Sequence, residues 1–144
     1  MATTRTASAH WEGSLMEGAG QVSLESSGVG TFDVSWPSRA EAANGKTSPE
    51  ELIAAAHSTC FSMALSHGLA QAGTPPTTID TTAEVTFQPG TGITGIVLKV
   101  VGAVVGLNAE QFEEAAQAAK AGCPVSQALA AVPITLEVQF EEAS

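Results

Sequence analysis

The stretch that most constrains this chain runs from Thr47 to Gly73 and reads T-S-P-E-E-L-I-A-A-A-H-S-T-C-F-S-M-A-L-S-H-G-L-A-Q-A-G. Ser48 can accept a backbone N–H as N-cap, Pro49 suits the first helical position, and Glu51 completes a capping box. Gly73, followed by Pro75 and Pro76, stops the helix. Between Leu52 and Gln71 no side chain carries a formal charge, and small or apolar residues fall on every face. A helix without a solvent side is expected to be central and buried. A chain this small has little else to cover it, so a partner subunit is expected as well.

Around that helix the pattern changes to a period of two. Residues 5–11, 21–25 and 31–36 read as a meander of three strands separated by glycine-bearing turns, each strand expected to have one buried face. Residues 37–45 are polar and read as an irregular loop. Ile79 to Phe87 and Ile93 to Val105 form a hairpin around P-G-T-G. Asn108 caps a second helix reaching about Ala121, with Gln111 in the box position and Phe112, Ala115, Ala116 and Ala119 facing inward. A short helix over Pro124 to Ala130 and a last strand over Ile134 to Phe140 complete the order β-β-β-α-β-β-α-α-β. The fold class is α+β with antiparallel sheet, and residues 1–144 read as one domain.

A formal net charge of −10 with only five Lys plus Arg argues against nucleic acid and anionic membranes as partners. Two cysteines make no disulfide framework, and residues 1–10 carry no apolar export signal. A soluble protein of a reducing compartment, the cytoplasm, is expected. No flavin, haem or nicotinamide motif is present, so no cofactor is expected.

Cys60 lies in the middle of the long helix, where a free cysteine often serves as a small core hydrophobe. Cys123, in A-G-C-P-V-S, stands where a short helix begins, and unpaired N–H groups there favour a thiolate. His57, Cys60 and His67 share a helical face, which raises a metal site as an alternative. A rise of about 1.5 Å per residue separates the two histidines by roughly 15 Å, too far for one ion. Only His57 with Cys60, helped by Cys123 and His10, could chelate together. Structural hydrogen bonding suits the helical histidines better. A third reading is a non-enzymatic module whose apolar surface between sheet and helix binds a lipid-like ligand.

The segments S-P-E-E-L-I-A-A-A-H-S-T-C-F-S-M-A-L, A-K-A-G-C-P-V-S-Q-A-L and A-H-W-E-G resemble the osmotically induced protein C (OsmC) family of organic hydroperoxide reductases across nearly the whole chain. The placement of Arg39 just before the helix resembles the OsmC branch rather than the related Ohr branch. The resemblance implies an intertwined homodimer with sheets from both chains around the central helices. It implies Cys60 as the thiol that attacks peroxide, Cys123 as the resolving thiol, and Arg39 with Glu50 as the pair that activates Cys60. A thiol buried in an apolar helix needs a cation to ionise it, and Arg39 offers a fixed charge with a fork of donors. Glu50 also has a plainer role, since a carboxylate in a first helical turn complements the helix dipole. The expected partners are an organic hydroperoxide, with Phe61 and Met63 as apolar walls near Cys60, and a dithiol reductant such as a lipoyl group.

Overall fold

The chain begins with a three-stranded antiparallel meander, β1 (Ser8–Glu12), β2 (Ala19–Ser23) and β3 (Thr31–Val34), in a computed structural model that describes residues 1–143. The register pairs Ala9 with Val22 and Val22 with Phe32, so Ala9, Trp11, Val22, Phe32 and Val34 share one face. The other face is polar, tied by Gln21 Nε2 donating to Asp33 Oδ1 at 3.1 Å and by Ser23 with Thr31 at 2.9 Å. The alternation read in the sequence is present, but the apolar face is not buried within the chain: Trp11 and Phe32 stay 40 % and 42 % exposed.

Residues 37–45 are not wholly irregular. A five-residue helix, α1 (Trp36–Ala40), follows β3 directly, because Ser35 accepts from the Ser38 N–H at 3.3 Å and Pro37 sits in the first turn. It removes Trp36 from the strand and carries Arg39. The long helix α2 is Pro49–Gln71. Ser48 caps it by accepting the Glu51 N–H at 3.2 Å, while the Glu51 carboxylate accepts from Thr47 Oγ1 at 2.6 Å rather than from the Ser48 amide. Half of the expected capping box is therefore made. Gly73, at φ +85, lets the chain reverse, with the Thr74 N–H donating to the Leu69 carbonyl.

A second sheet contains β4 (Thr78–Gln88), β5 (Gly92–Val104) and β6 (Ile134–Glu142). β4 and β5 form the antiparallel hairpin, but β6 lies parallel to β5, so this sheet is mixed rather than purely antiparallel. The reason is the connection: α3 (Ala109–Gly122) and α4 (Pro124–Ala128) lie between the two strands, and a crossover through helices returns the chain in the same direction. α3 starts with the full Asn108–Gln111 capping box.

Residues 1–52 and 53–143 fall into two compact units, each with one of the sheets. The second unit has a closed core: Phe61, Leu65 and Leu69 from α2, Leu98, Val100 and Val104 from β5, and Phe112, Ala116 and Ala119 from α3. Gly102 of β5 leaves room for the Phe112 ring, which a Cβ at that position would strike. Phe112 also tilts against Phe140 of β6, centroids 5.3 Å apart. Within the single chain α2 buries Glu50 in its first turn and then the stripe His57, Phe61, Leu65, Leu69, while Ala55, Ala56, Thr59 and Met63 are exposed. No helix among the described residues is long and apolar enough to cross a membrane.

Candidate active site

Four side chains singled out in the sequence fall into two pairs. In the first unit, α1 presents Arg39 and the first turn of α2 presents Glu50. Arg39 Nε donates to Glu50 Oε1 and Oε2 at 3.0 and 3.2 Å, and a terminal guanidinium nitrogen donates to Oε2 at 2.9 Å. This is the forked, charge-assisted pairing that fixes a guanidinium in plane. Glu50 is buried, whereas the Arg39 side chain is 31 % exposed. Trp36, one α-helical turn earlier, holds its ring centroid 6.0 Å from the Arg39 Cζ. Arg39 also borders a recess of about 280 Å³ within this unit, walled by Trp11, Leu15, Val34, Trp36 and Leu52.

In the second unit, Cys60 from α2 meets Cys123, which stands at the N-cap of α4; both thiols are free. Cys60 is half-buried, whereas Cys123 is 0 % exposed. Their electrostatics diverge. Burial pushes the Cys60 thiol up, Cys123 as hydrogen-bond partner and neighbouring charge pushes it further, and the Val125 amide opposes. Burial also pushes Cys123 up, but Cys60, the Ser126 amide and hydroxyl, and the Val125 amide outweigh it and leave this thiol below its ordinary range. No cap hydrogen bond of ordinary geometry is made by Cys123, and α4 has only five residues, so the effect comes from these near groups rather than from a long helix dipole.

His57 is buried with its Nε2 2.7 Å from Ser126 Oγ, a structural hydrogen bond across the second unit. Burial lowers its pKa, which keeps the imidazole neutral. His67 is exposed and 3.4 Å from Gln71 Nε2, and His10 lies on β1 near Glu12. Among the described residues no three His, Cys, Asp or Glu side chains converge as a metal site would require. Phe61 is 0 % exposed in the core, and Met63 is 68 % exposed. Ser126 went unnoticed in the sequence. The available signal was its place at the third position of the helix that Cys123 caps, where a hydroxyl can reach back to the cap residue.

Two free thiols brought together from positions 60 and 123, one reachable and one enclosed, can cycle between dithiol and disulfide. A guanidinium held in a fork can stabilise an anion. A family profile described as OsmC-like protein matches residues 42–137. The peroxiredoxin OsmC of Escherichia coli (strain K12) is 50 % identical over 136 residues, covering 92 % of this chain and 94 % of that protein. Among solved structures, an organic hydroperoxide resistance protein OsmC from Legionella pneumophila superposes with a TM-score of 0.75 at 27 % identity, covering 96 % of this chain and 98 % of the other. The organic hydroperoxide resistance protein OhrB of Bacillus subtilis superposes with a TM-score of 0.62 at 25 % identity, covering 94 % and 98 %.

Proposed function

Because the chain belongs to the OsmC-like protein family, we propose that it is a cysteine-based peroxidase reducing organic hydroperoxides to alcohols. The observation that carries this reading is the pairing of a half-exposed Cys60 with a fully enclosed Cys123, since only the former can meet a substrate and only the latter is held ready to resolve it. The names borne by the E. coli relative and by the Legionella and Bacillus structures support it. The family profile crosses from one compact unit into the other, which supports reading residues 1–144 as one functional domain.

In this mechanism the Cys60 thiolate attacks one peroxide oxygen. An S–O bond forms, the O–O bond breaks, and the alkoxide takes a proton to leave as alcohol. The Cys123 thiolate then attacks the Cys60 sulfur, the S–O bond breaks, and hydroxide leaves to become water. A dithiol reductant, such as a lipoyl group, returns the disulfide to two thiols, which suits a reducing compartment such as the cytoplasm. Burial raises the Cys60 thiol, so a cation must act on it, and Arg39 held by Glu50 is that cation. The apolar recess beside Arg39 suits the organic tail of the peroxide.

The working form is a homodimer whose sites combine Cys60 and Cys123 of one subunit with Arg39 and Glu50 of its partner. Glu50 and Cys60 are ten residues apart on one helix, roughly 15 Å along its axis, which a guanidinium spans poorly within one chain. Uncovered apolar side chains on α2 and on the first sheet, Met63, Trp11 and Phe32 among them, support a second copy as their cover. Treating reduced protein with cumene hydroperoxide tests the function: both thiols should vanish into a disulfide as one alcohol forms per site. Thiols that survive excess peroxide would overturn it and favour a binding module.

A further inference from the structure

The buried His57–Ser126 bond joins residues 69 positions apart, and no step of the peroxidase cycle above uses it. A neutral imidazole has one N–H and one bare nitrogen, and His57 Nδ1 is buried without a hydrogen-bond partner. A proton on Nδ1 would bury an orphaned donor, which folded proteins rarely tolerate. The proton therefore sits on Nε2, and Ser126 Oγ accepts from it at 2.7 Å. The Ser126 hydroxyl hydrogen, turned away from the imidazole, is left for another acceptor; Ser126 is the third residue of the helix that Cys123 caps, and its hydroxyl is among the groups that hold the Cys123 thiol down.

The geometry points to His57 as a positioning residue for the resolving thiol: through Ser126 it aims a hydroxyl proton at Cys123 and favours the thiolate that attacks oxidised Cys60. This rests on the peroxidase reading. In the resolving step the Cys123 electron pair forms the S–S bond, the Cys60 S–O bond breaks, and hydroxide departs; the Ser126 proton is shared but not transferred. The same bond serves the reductive step. A dithiol attacking the reachable Cys60 sulfur expels Cys123, and a thiol stabilised as thiolate leaves faster. The titratable groups of this cluster are His57 and Cys60 from α2 and Cys123 at the start of α4; burial, one another, and the Ser126 and Val125 groups are what act on them.

The test follows the full-length protein after one equivalent of cumene hydroperoxide, with acid quenching and mass spectrometry counting sulfenic acid and disulfide between about pH 5 and pH 9. Sulfenic acid should form on Cys60 in every variant. Ser126→Ala should slow the disulfide step about tenfold at neutral pH and move its pH profile up by about one unit. Ser126→Thr, which keeps the hydroxyl, should restore it. His57→Leu should shift the profile the same way but less, and His57→Gln, which keeps an N–H for Ser126, should recover part of the loss. A merely structural histidine predicts lower stability with an unmoved profile, and an unmoved profile in Ser126→Ala and His57→Leu overturns the inference. Should His57→Leu fail to fold, the Ser126→Ala and Ser126→Thr pair decides alone. Thiolate ultraviolet absorbance against pH in Cys60→Ser protein, with and without Ser126→Ala, reads Cys123 without peroxide. If wild type forms no sulfenic acid the peroxidase reading fails, and this titration still judges the hydrogen-bond chain: a curve unmoved by Ser126→Ala overturns it.

Discussion

The two sheets of this protein share a sequence pattern and differ in what becomes of it. In β5, alternate residues Leu98, Val100 and Val104 are sealed beneath α2 and α3, with exposures of 1 % or less. In β1 to β3, Trp11 and Phe32 alternate just as regularly and remain about two-fifths exposed. Chemistry divides in the same way. The unit with the closed core holds the thiols, and the unit with the open apolar face holds the Arg39–Glu50 pair. Period-two alternation thus tells which face of a strand is apolar, not what covers it. A bare apolar face alongside a finished charged pair is what a surface built to complete another copy would display.

The sharpest way to break that contrast is to truncate one aromatic on each side. Phe112→Ala empties the middle of a closed core and is expected to cost about 3–5 kcal/mol, read as a fall in the urea midpoint. Phe32→Ser removes a side chain that is 42 % exposed in the single chain. It should instead shift sedimentation from dimer toward monomer, with a much smaller change in subunit stability. Equal losses of stability with an unchanged association state would mean that the first sheet carries its own core after all.

Next in size is the charged pair. Arg39→Ala should lower turnover by about 10²–10³, the range seen when one donor to a developing anion is removed. It should also move the pH profile of Cys60 alkylation upward. Arg39→Lys keeps the charge but loses the fork that Glu50 grips, and should retain part of the activity. An alkylation profile that ignores Arg39→Ala removes this residue from the mechanism. A smaller effect follows from mixing inactive Cys60→Ser with inactive Glu50→Ala protomers. If sites are shared across a two-fold dimer, each verified heterodimer regains one intact site and about half the wild-type rate. No regained activity would return all four groups to a single chain.

Much of this was legible before any coordinates. Strand and helix limits followed alternation and capping to within a few residues, as at Asn108 with Gln111, because both signals are local. Helix α1 was not, since five residues are too few to display a helical period and Ser35 and Pro37 alone resemble loop chemistry. Nor was the parallel pairing of β6, which depends on the crossover rather than on the strand's own composition. Arg39 and Glu50 could be named because the S-P-E-E-L segment and the position of Arg39 before it resemble the OsmC pattern, and a cation beside a buried thiol fits that resemblance physically. The place of Ser126 beside Cys123 is local, but its bond to His57 spans 69 positions and nothing local marks that bond.

The smallest expected effect concerns acid stability, and it probes whether the closed unit is also the acid-sensitive one. His57 is buried in that unit, and burial lowers its folded-state pKa below the model-peptide value of 6.5. Above that value both folded and unfolded chains hold a neutral imidazole, so the group contributes no pH dependence there. As pH falls below it, the unfolded chain takes up a proton that the folded one refuses, and stability declines until the folded pKa is reached. Urea midpoints measured from about pH 7.5 down to pH 5 should therefore fall with a slope of up to one proton. His57→Gln, which cannot titrate, should flatten the curve whatever it does to the midpoint at pH 7. A slope that survives His57→Gln unchanged would move the acid-sensitive group elsewhere and leave this unit's buried histidine without a part in pH stability.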